Sequence, residues 1–173
     1  MRCTKDLLKA AKETLNPCGS RMLNLRGYRI EVIENLGVLN DAYECIDFSE
    51  NELVTLDGFP PMQNLKHLIV AQNRVCRISE DLHESIPNLV SLVLAGNLMT
   101  DVKYLEPLKH FKHLQRISLV DNPVDTVVVG GFGSIVLTLR DPQLRKYLIG
   151  ILPSIRFIDF TKVTQSERAK QDD

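Results

Sequence analysis

Nothing in these 173 residues marks a long apolar segment, a strong charge of one sign or a pairing pattern of cysteines. No apolar run approaches the roughly 20 residues that span a bilayer. The N-terminal MRCTKDLLKAAKE also lacks the apolar stretch of a signal peptide. The four cysteines, Cys3, Cys18, Cys45 and Cys76, fall into neither C-x-x-C nor zinc-finger spacing, and no N-x-S/T acceptor occurs. Free thiols in a reducing compartment, cytosol or nucleus, are expected. Formal net charge is −1 and the pI about 6.4. That balance argues against a protein that grips nucleic acid by phosphate neutralisation on its own.

The residue constellations of catalysis are missing as well. Gly130, Gly131 and Gly133 do not form a G-x-G-x-x-G phosphate loop, because residue 136 is valine. His110 and His113 in KHFKHL have no third metal ligand nearby, and His67 and His83 are expected to be isolated from them by whole coils. No serine, histidine and carboxylate occupy neighbouring positions of adjacent strands. Cys45 has nothing around it to lower its pKa, and Asp47 with Glu50 reads as a solvated patch. The expectation is no enzyme, no cofactor, no metal and no small-molecule substrate.

What the sequence does have is a repeat. Hydrophobic residues make up 44% and charged residues 25%, an ordinary globular composition in a length that suits one domain. The stretches YECIDFSENEL, LKHLIVAQNRV, LVSLVLAGNLM and LQRISLVDNPV all fit L-x-x-L-x-L-x-x-N-x-L, the leucine-rich repeat signature. Their asparagines, Asn51, Asn73, Asn97 and Asn122, lie 22, 24 and 25 residues apart. Two degenerate copies flank them. SRMLNLRGYRI places Leu23, Leu25 and Ile30 in register, with Tyr28 where asparagine belongs. IRFIDFTKV places Ile155, Ile158, Phe160 and Val163.

The physics of a solenoid explains the asparagines. Each coil turns sharply after its strand, leaving backbone N–H and C=O groups pointing inward. An asparagine amide offers two donors and an acceptor, enough to satisfy backbone of its own coil and of a neighbour. The four asparagines are therefore expected to form a structural ladder, not a ligand site.

The expected organisation is an α/β leucine-rich repeat solenoid in a single domain over 1–173, with short parallel strands on the concave face and a cap at each end. Thr4 N-caps a helix expected to run to about Leu15 within a cap over 1–19, with Leu7, Leu8, Ala11 and Leu15 on one face. About five coils follow over 20–125, with short helical or 3₁₀ segments on the convex side. The segment DTVVVGGFGSIVLTLRD breaks the spacing, and 126–141 reads as an insertion, a β-hairpin or loop packed on the solenoid end. Asp141-Pro142 then starts a C-terminal cap over 142–163, its helix presenting Leu144, Tyr147, Leu148 and Ile151. Residues 164–173 read as a frayed polar tail.

Strand side chains alternate, so with the leucines inward the residues six, four and two before each asparagine face the concave side. Candidate partner contacts are Asn24, Arg26, Asp47, Ser49, Ile69, Ala71, Val93, Ala95, Arg116 and Val120. Ile69, Ala71, Val93, Ala95 and Val120 make an apolar centre of mostly small residues inside polar edges, a trough suited to an inserted helix. The competing expectation is that the 126–139 segment folds back over it.

The stretch LNLRGYRIEVIENLG, with IDFSENEL, LDGFP and NRVCRI after it, resembles the spliceosomal A-prime family of the U2 small nuclear ribonucleoprotein. The likeness resumes at LRKYLIGILPSIRFIDFTKV, while the 126–139 segment is an insertion relative to that family pattern, whose members also continue past the cap as a charged tail. The resemblance implies a nuclear, non-enzymatic protein. Its concave face would clasp a helix of an RNA-recognition-motif (RRM) protein, B-double-prime, and the pair would bind stem-loop IV of U2 snRNA, mainly through that partner. Leucine-rich regulators of a protein phosphatase, or dynein-associated adaptors, are the alternatives; neither shares LRGY-x-I-x-VIENLG.

Overall fold

The computed structural model describes residues 2–129, 137–140 and 142–169. The chain opens with α1 (Lys5–Ala10) and β1 (Lys12–Leu15), followed by the strands of a curved sheet. These are β2 (Arg21–Asn24), β3 (Cys45–Asp47), β5 (His67–Ile69), β7 (Ser91–Val93) and β8 (Arg116–Ser118), all parallel. β11 (Phe157–Ile158) continues the parallel order, and β12 (Thr161–Lys162) closes the far edge antiparallel. The convex side carries β4 (Thr55–Leu56) paired with β6 (Arg77–Ile78), α2 (Leu82–Ser85) and 3₁₀ segments at Leu36–Leu39 and Val102–His110.

The leucine positions form one register across the sheet: Leu23, Ile46, Leu68, Leu92, Ile117 and Ile158 pair in sequence. All six are buried, and the second row of Leu25, Phe48, Val70, Leu94 and Leu119 is fully buried. A chain that alternates inward leucine with outward polar residues can satisfy this arrangement in one register only, since a slip of one residue exposes the whole row.

Four interior bends are each closed by an asparagine amide. Asn97 Oδ1 accepts from Val75 N at 2.9 Å, while its Nδ2 donates to Val70 O at 2.8 Å and Leu94 O at 2.9 Å. Asn51, Asn73 and Asn122 repeat the pattern, their Oδ1 atoms accepting from Ile30, Leu53 and Met99. The residue before each asparagine lies in the left-handed region: Glu50, Gln72, Gly96 and Asp121 have φ of 57°, 56°, 66° and 59°. At Gly96 a Cβ would also sit 2.4 Å from Gln72 Nε2, so a side chain there would push that exposed amide aside.

The caps differ from the expectations at three points. First, the N-terminal helix stops at Ala10, although Thr4 does cap it, accepting from Leu7 N at 3.2 Å. Lys12–Leu15 instead forms β1, antiparallel to β2, and Leu15 is 67% exposed. The open edge of the first coil decides this: its unpaired backbone groups need a strand more than the helix needs another turn. Glu13 fixes β1 by accepting from Tyr43 Oη at 2.6 Å and pairing with Arg21 at 3.0 Å.

Second, Phe160 is 85% exposed and does not enter the core. Asp159 and Phe160 both have positive φ, 47° and 64°, so the chain leaves the repeat register and turns back as β12.

Third, the tail does not fray at 164: α4 (Gln165–Ala169) packs on α3 (Pro142–Ile151). Arg145 of α3 holds Glu167 at 2.6 Å, and Glu167 also accepts from Thr164 N at 2.8 Å.

In the 126–139 segment, β9 (Thr126–Val129) pairs antiparallel with β10 (Leu137–Arg140). Residues 130–136 lie outside the described part. So does the reading that they cover the concave face.

The concave face as candidate functional site

Three rows of side chains stand on the concave side. The first runs Met22, Cys45, His67, Ser91, Arg116 and Phe157, the second Asn24, Asp47, Ile69, Val93 and Ser118. Beyond the strand ends lie Arg26, Ser49, Ala71, Ala95 and Val120. Asn24, Ile69, Ala71, Val93, Ala95 and Val120 are partly exposed, and Arg26 and Arg116 are exposed. The apolar group is thus open to a partner and flanked by charge.

Asp47 and Ser49 stand apart from this set, being only 9% and 4% exposed. The Asp47 carboxylate turns onto its own backbone and accepts from Ser49 N at 2.8 Å. Both side chains are buried, so they are poorer contacts than the register alone implies. Cys45 in the same strand is fully buried. Burial pushes its thiol up to about 11, as it does for Cys3, so both stay protonated.

The two ends of the trough differ. At the N-terminal end Arg26 pairs with Glu50 at 2.6 Å across neighbouring coils. That contact holds the Glu50 carboxyl below its usual range. At the C-terminal end a hollow of about 220 Å³ opens between Val93, Ile117, Ser118, Arg116, Phe157 and Phe160. The Arg116 guanidinium lies 5.7 Å from the centre of the Phe157 ring. Partial burial, followed by the charge of Arg116, lowers the His67 pKa, so the middle of the first row stays uncharged at neutral pH.

Sequence reasoning missed Phe160 here. It read that residue as core, but the turn at Asp159 aims it at the rim of the trough. The histidines also differ from expectation: His83 and His110 stack at 4.7 Å, because 27 residues is about one coil and adjacent convex segments meet face to face. Among the described residues no group of three or more His, Cys, Asp or Glu side chains is placed to hold a metal ion. Nor is any described helix long and apolar enough to cross a membrane.

A stacked parallel sheet, short convex segments and an amide at each interior bend define a leucine-rich repeat protein. The chain belongs to the leucine-rich repeat family, whose model matches residues 1–173. Among its curated relatives are the probable U2 small nuclear ribonucleoprotein A′ of Drosophila melanogaster and the U2 small nuclear ribonucleoprotein A′ of Homo sapiens. Each is 39% identical over 168 residues, 97% of this chain, and the match covers 58% and 60% of their lengths. The Arabidopsis thaliana A′ protein is 36% identical over 170 residues, 98% of this chain and 63% of its own length. The chain thus spans about three-fifths of the length of these relatives. In three dimensions it matches a chain of the crystal structure of the Drosophila melanogaster SNF/U2A′ complex. That match has a TM-score of 0.88 and 38% identity, covering 99% of this chain and 91% of that one.

Proposed function

We propose that this chain is a spliceosomal adaptor of the U2 small nuclear ribonucleoprotein, nuclear and without catalytic activity. Its concave face clasps a helix of an RRM protein of the B-double-prime kind, and the pair binds stem-loop IV of U2 snRNA. The observation that carries this reading is the open apolar centre of the concave face, Ile69, Val93, Ala71, Ala95 and Val120, ending in the hollow beside Phe160. Small side chains let a helix approach the sheet closely, while the charged rim sets its orientation. The likeness to A′ proteins across animals and plants, and to a chain of the SNF/U2A′ complex, supports the same reading.

Near-zero net charge fits an indirect role on RNA. Sequence-specific RNA recognition rests on stacking and base edges, which an RRM sheet supplies. The solenoid then decides which RRM, and through it which loop, is accepted. A pull-down of the tagged chain from nuclear extract, with protein and RNA both identified, tests this. Recovery of an RRM protein with U2 snRNA is expected, the RNA being lost when that protein is depleted. Recovery of a phosphatase or motor subunit without U2 snRNA contradicts it.

A further inference from the structure

The concave face begins before the first repeat strand. β1 lies antiparallel to β2, with Lys12 opposite Asn24, Glu13 opposite Leu23 and Thr14 opposite Met22. Residues directly opposite in an antiparallel pair share one face of the sheet. Lys12 and Thr14 therefore stand with Asn24 and Met22 on the concave side, while Glu13 stands with Leu23 on the core side. The hydrogen bond that the buried Tyr43 donates to Glu13, at 2.6 Å, agrees with that register.

Three donors meet there without an acceptor. Lys12 is exposed and has no ion pair among the described residues. The other cations of this end are answered, Arg26 by Glu50 at 2.6 Å and Arg21 by Glu13 at 3.0 Å. Thr14 is partly exposed, yet its Oγ1 is buried with no hydrogen-bond partner among the described residues. A turn about χ1 exchanges that hydroxyl with the methyl group and brings it to the surface. Asn24 Oδ1 accepts from Arg26 N at 3.0 Å, which leaves its Nδ2 as the donor facing out. The next carboxylate along the row, Asp47, is buried and accepts from Ser49 N.

We propose that β1 is part of the partner's seat, and that Lys12, Thr14 and Asn24 together receive an Asp or Glu side chain of the clasped helix. This rests on the concave face being that seat. Lys12 and Thr14 are two residues apart on one face, about 7 Å along the strand, so one carboxylate can lie between ammonium and hydroxyl. A carboxylate presents only acceptors and makes its strongest hydrogen bonds with a charged donor, which is the complement of this set. The apolar centre supplies contact area. The β1 edge then selects a helix that carries an acid at this end and rejects one that carries a base.

The test measures the affinity of an RRM partner for wild type, Lys12→Glu, Lys12→Gln and Thr14→Val over a salt series, with thermal unfolding of each. Lys9→Glu, the same charge change at an exposed position of α1, is the control. Lys12→Glu should weaken binding about tenfold and Lys12→Gln about threefold, chiefly in association rate and less so at high salt. Thr14→Val should weaken binding about threefold while Tm holds or rises, since an orphaned hydroxyl is removed. One Asp→Lys or Glu→Lys variant of the partner should restore binding to Lys12→Glu.

Equal binding by wild type and Lys12→Glu overturns the proposal. So does an equal loss in Lys9→Glu, which is the effect of net charge alone. Failure of every acid-to-lysine partner variant to restore Lys12→Glu overturns it as well. If Lys12→Glu does not fold, Lys12→Gln decides by the same comparison with wild type. If wild type itself binds no RRM partner, the concave-face reading falls and takes this one with it, an outcome distinct from a loss confined to the variants.

Discussion

The bend at Asn97 and the bend at Asp159 meet one requirement with different chemistry. In an interior coil, strand N–H groups find carbonyls on the next strand: Leu94 N reaches Ser118 O and Gly96 N reaches Val120 O, both at 2.8 Å. The asparagine amide then ties the bend to the coil before it. In the last coil the chain turns back at Asp159, and the matching carbonyls are missing. The Asp159 carboxylate replaces them, with Oδ1 accepting from Leu119 N at 2.7 Å, Val120 N at 3.2 Å and Ser118 Oγ at 3.1 Å. An amide both donates and accepts, so it can serve every interior bend. A carboxylate only accepts, which suits an end. The same turn that ends the stacking exposes Phe160, so termination and the rim of the binding face have one cause.

Removing the amide of an interior bend should cost most. Asn97→Ala leaves the buried Val75 N–H without its acceptor and takes one of two amide donors from the Val70 and Leu94 carbonyls, which keep Asn73 and Asn122, and should destabilise by about 1–3 kcal/mol in denaturant unfolding. Unchanged stability would sink the ladder argument. At the terminal bend, Asp159→Ala should cost about 1–2 kcal/mol and Asp159→Asn less, since the amide keeps one acceptor for the Leu119 and Val120 N–H groups. A larger loss at Asp159 than at Asn97 would reverse the comparison.

Among the depressed carboxylates, acid should act most strongly on the terminal region. Glu167 is held at about 2 by its hydrogen bonds with Arg145 and Thr164, below its ordinary 4.5. A carboxyl depressed in the folded state stabilises above its unfolded value and stops doing so as pH falls through the folded one. Protection of the α4 amides, taken relative to their intrinsic exchange rate at each pH, should therefore fall between about pH 4.5 and 2, and Glu167→Gln should remove that dependence. The smallest effect is expected at Phe160→Ala. With the ring 85% exposed, stability should stay within about 0.5 kcal/mol while capture of the RRM partner weakens.

The interior was legible in the sequence because its rules are local and repeated. A leucine period, an asparagine every 22 to 25 residues and alternation along each strand place the core row and the concave rows. The ends were less legible because long-range demands decide them. Leu7, Leu8, Ala11 and Leu15 fit a helical face, yet pairing with the free edge of β2 wins over propensity after Ala10. IRFIDF fits the repeat spacing, yet two positive-φ residues take Phe160 out of it. The tail's polarity hid a tertiary pair, Arg145 with Glu167, whose members are 22 residues apart. Of the candidate contacts, Ile69, Val93 and their small neighbours are open, whereas Asp47 and Ser49 are buried; alternation gives direction, not accessibility.

The most direct measurement is partner capture and thermal unfolding of Ile69→Glu/Val93→Glu, side by side with wild type. Both residues stand outside the core row, so Tm should stay nearly unchanged while capture of the RRM protein is lost. If the variant unfolds, the two side chains face the core and the register is off by one. If it stays folded and still captures the partner, the concave face is not where the partner sits.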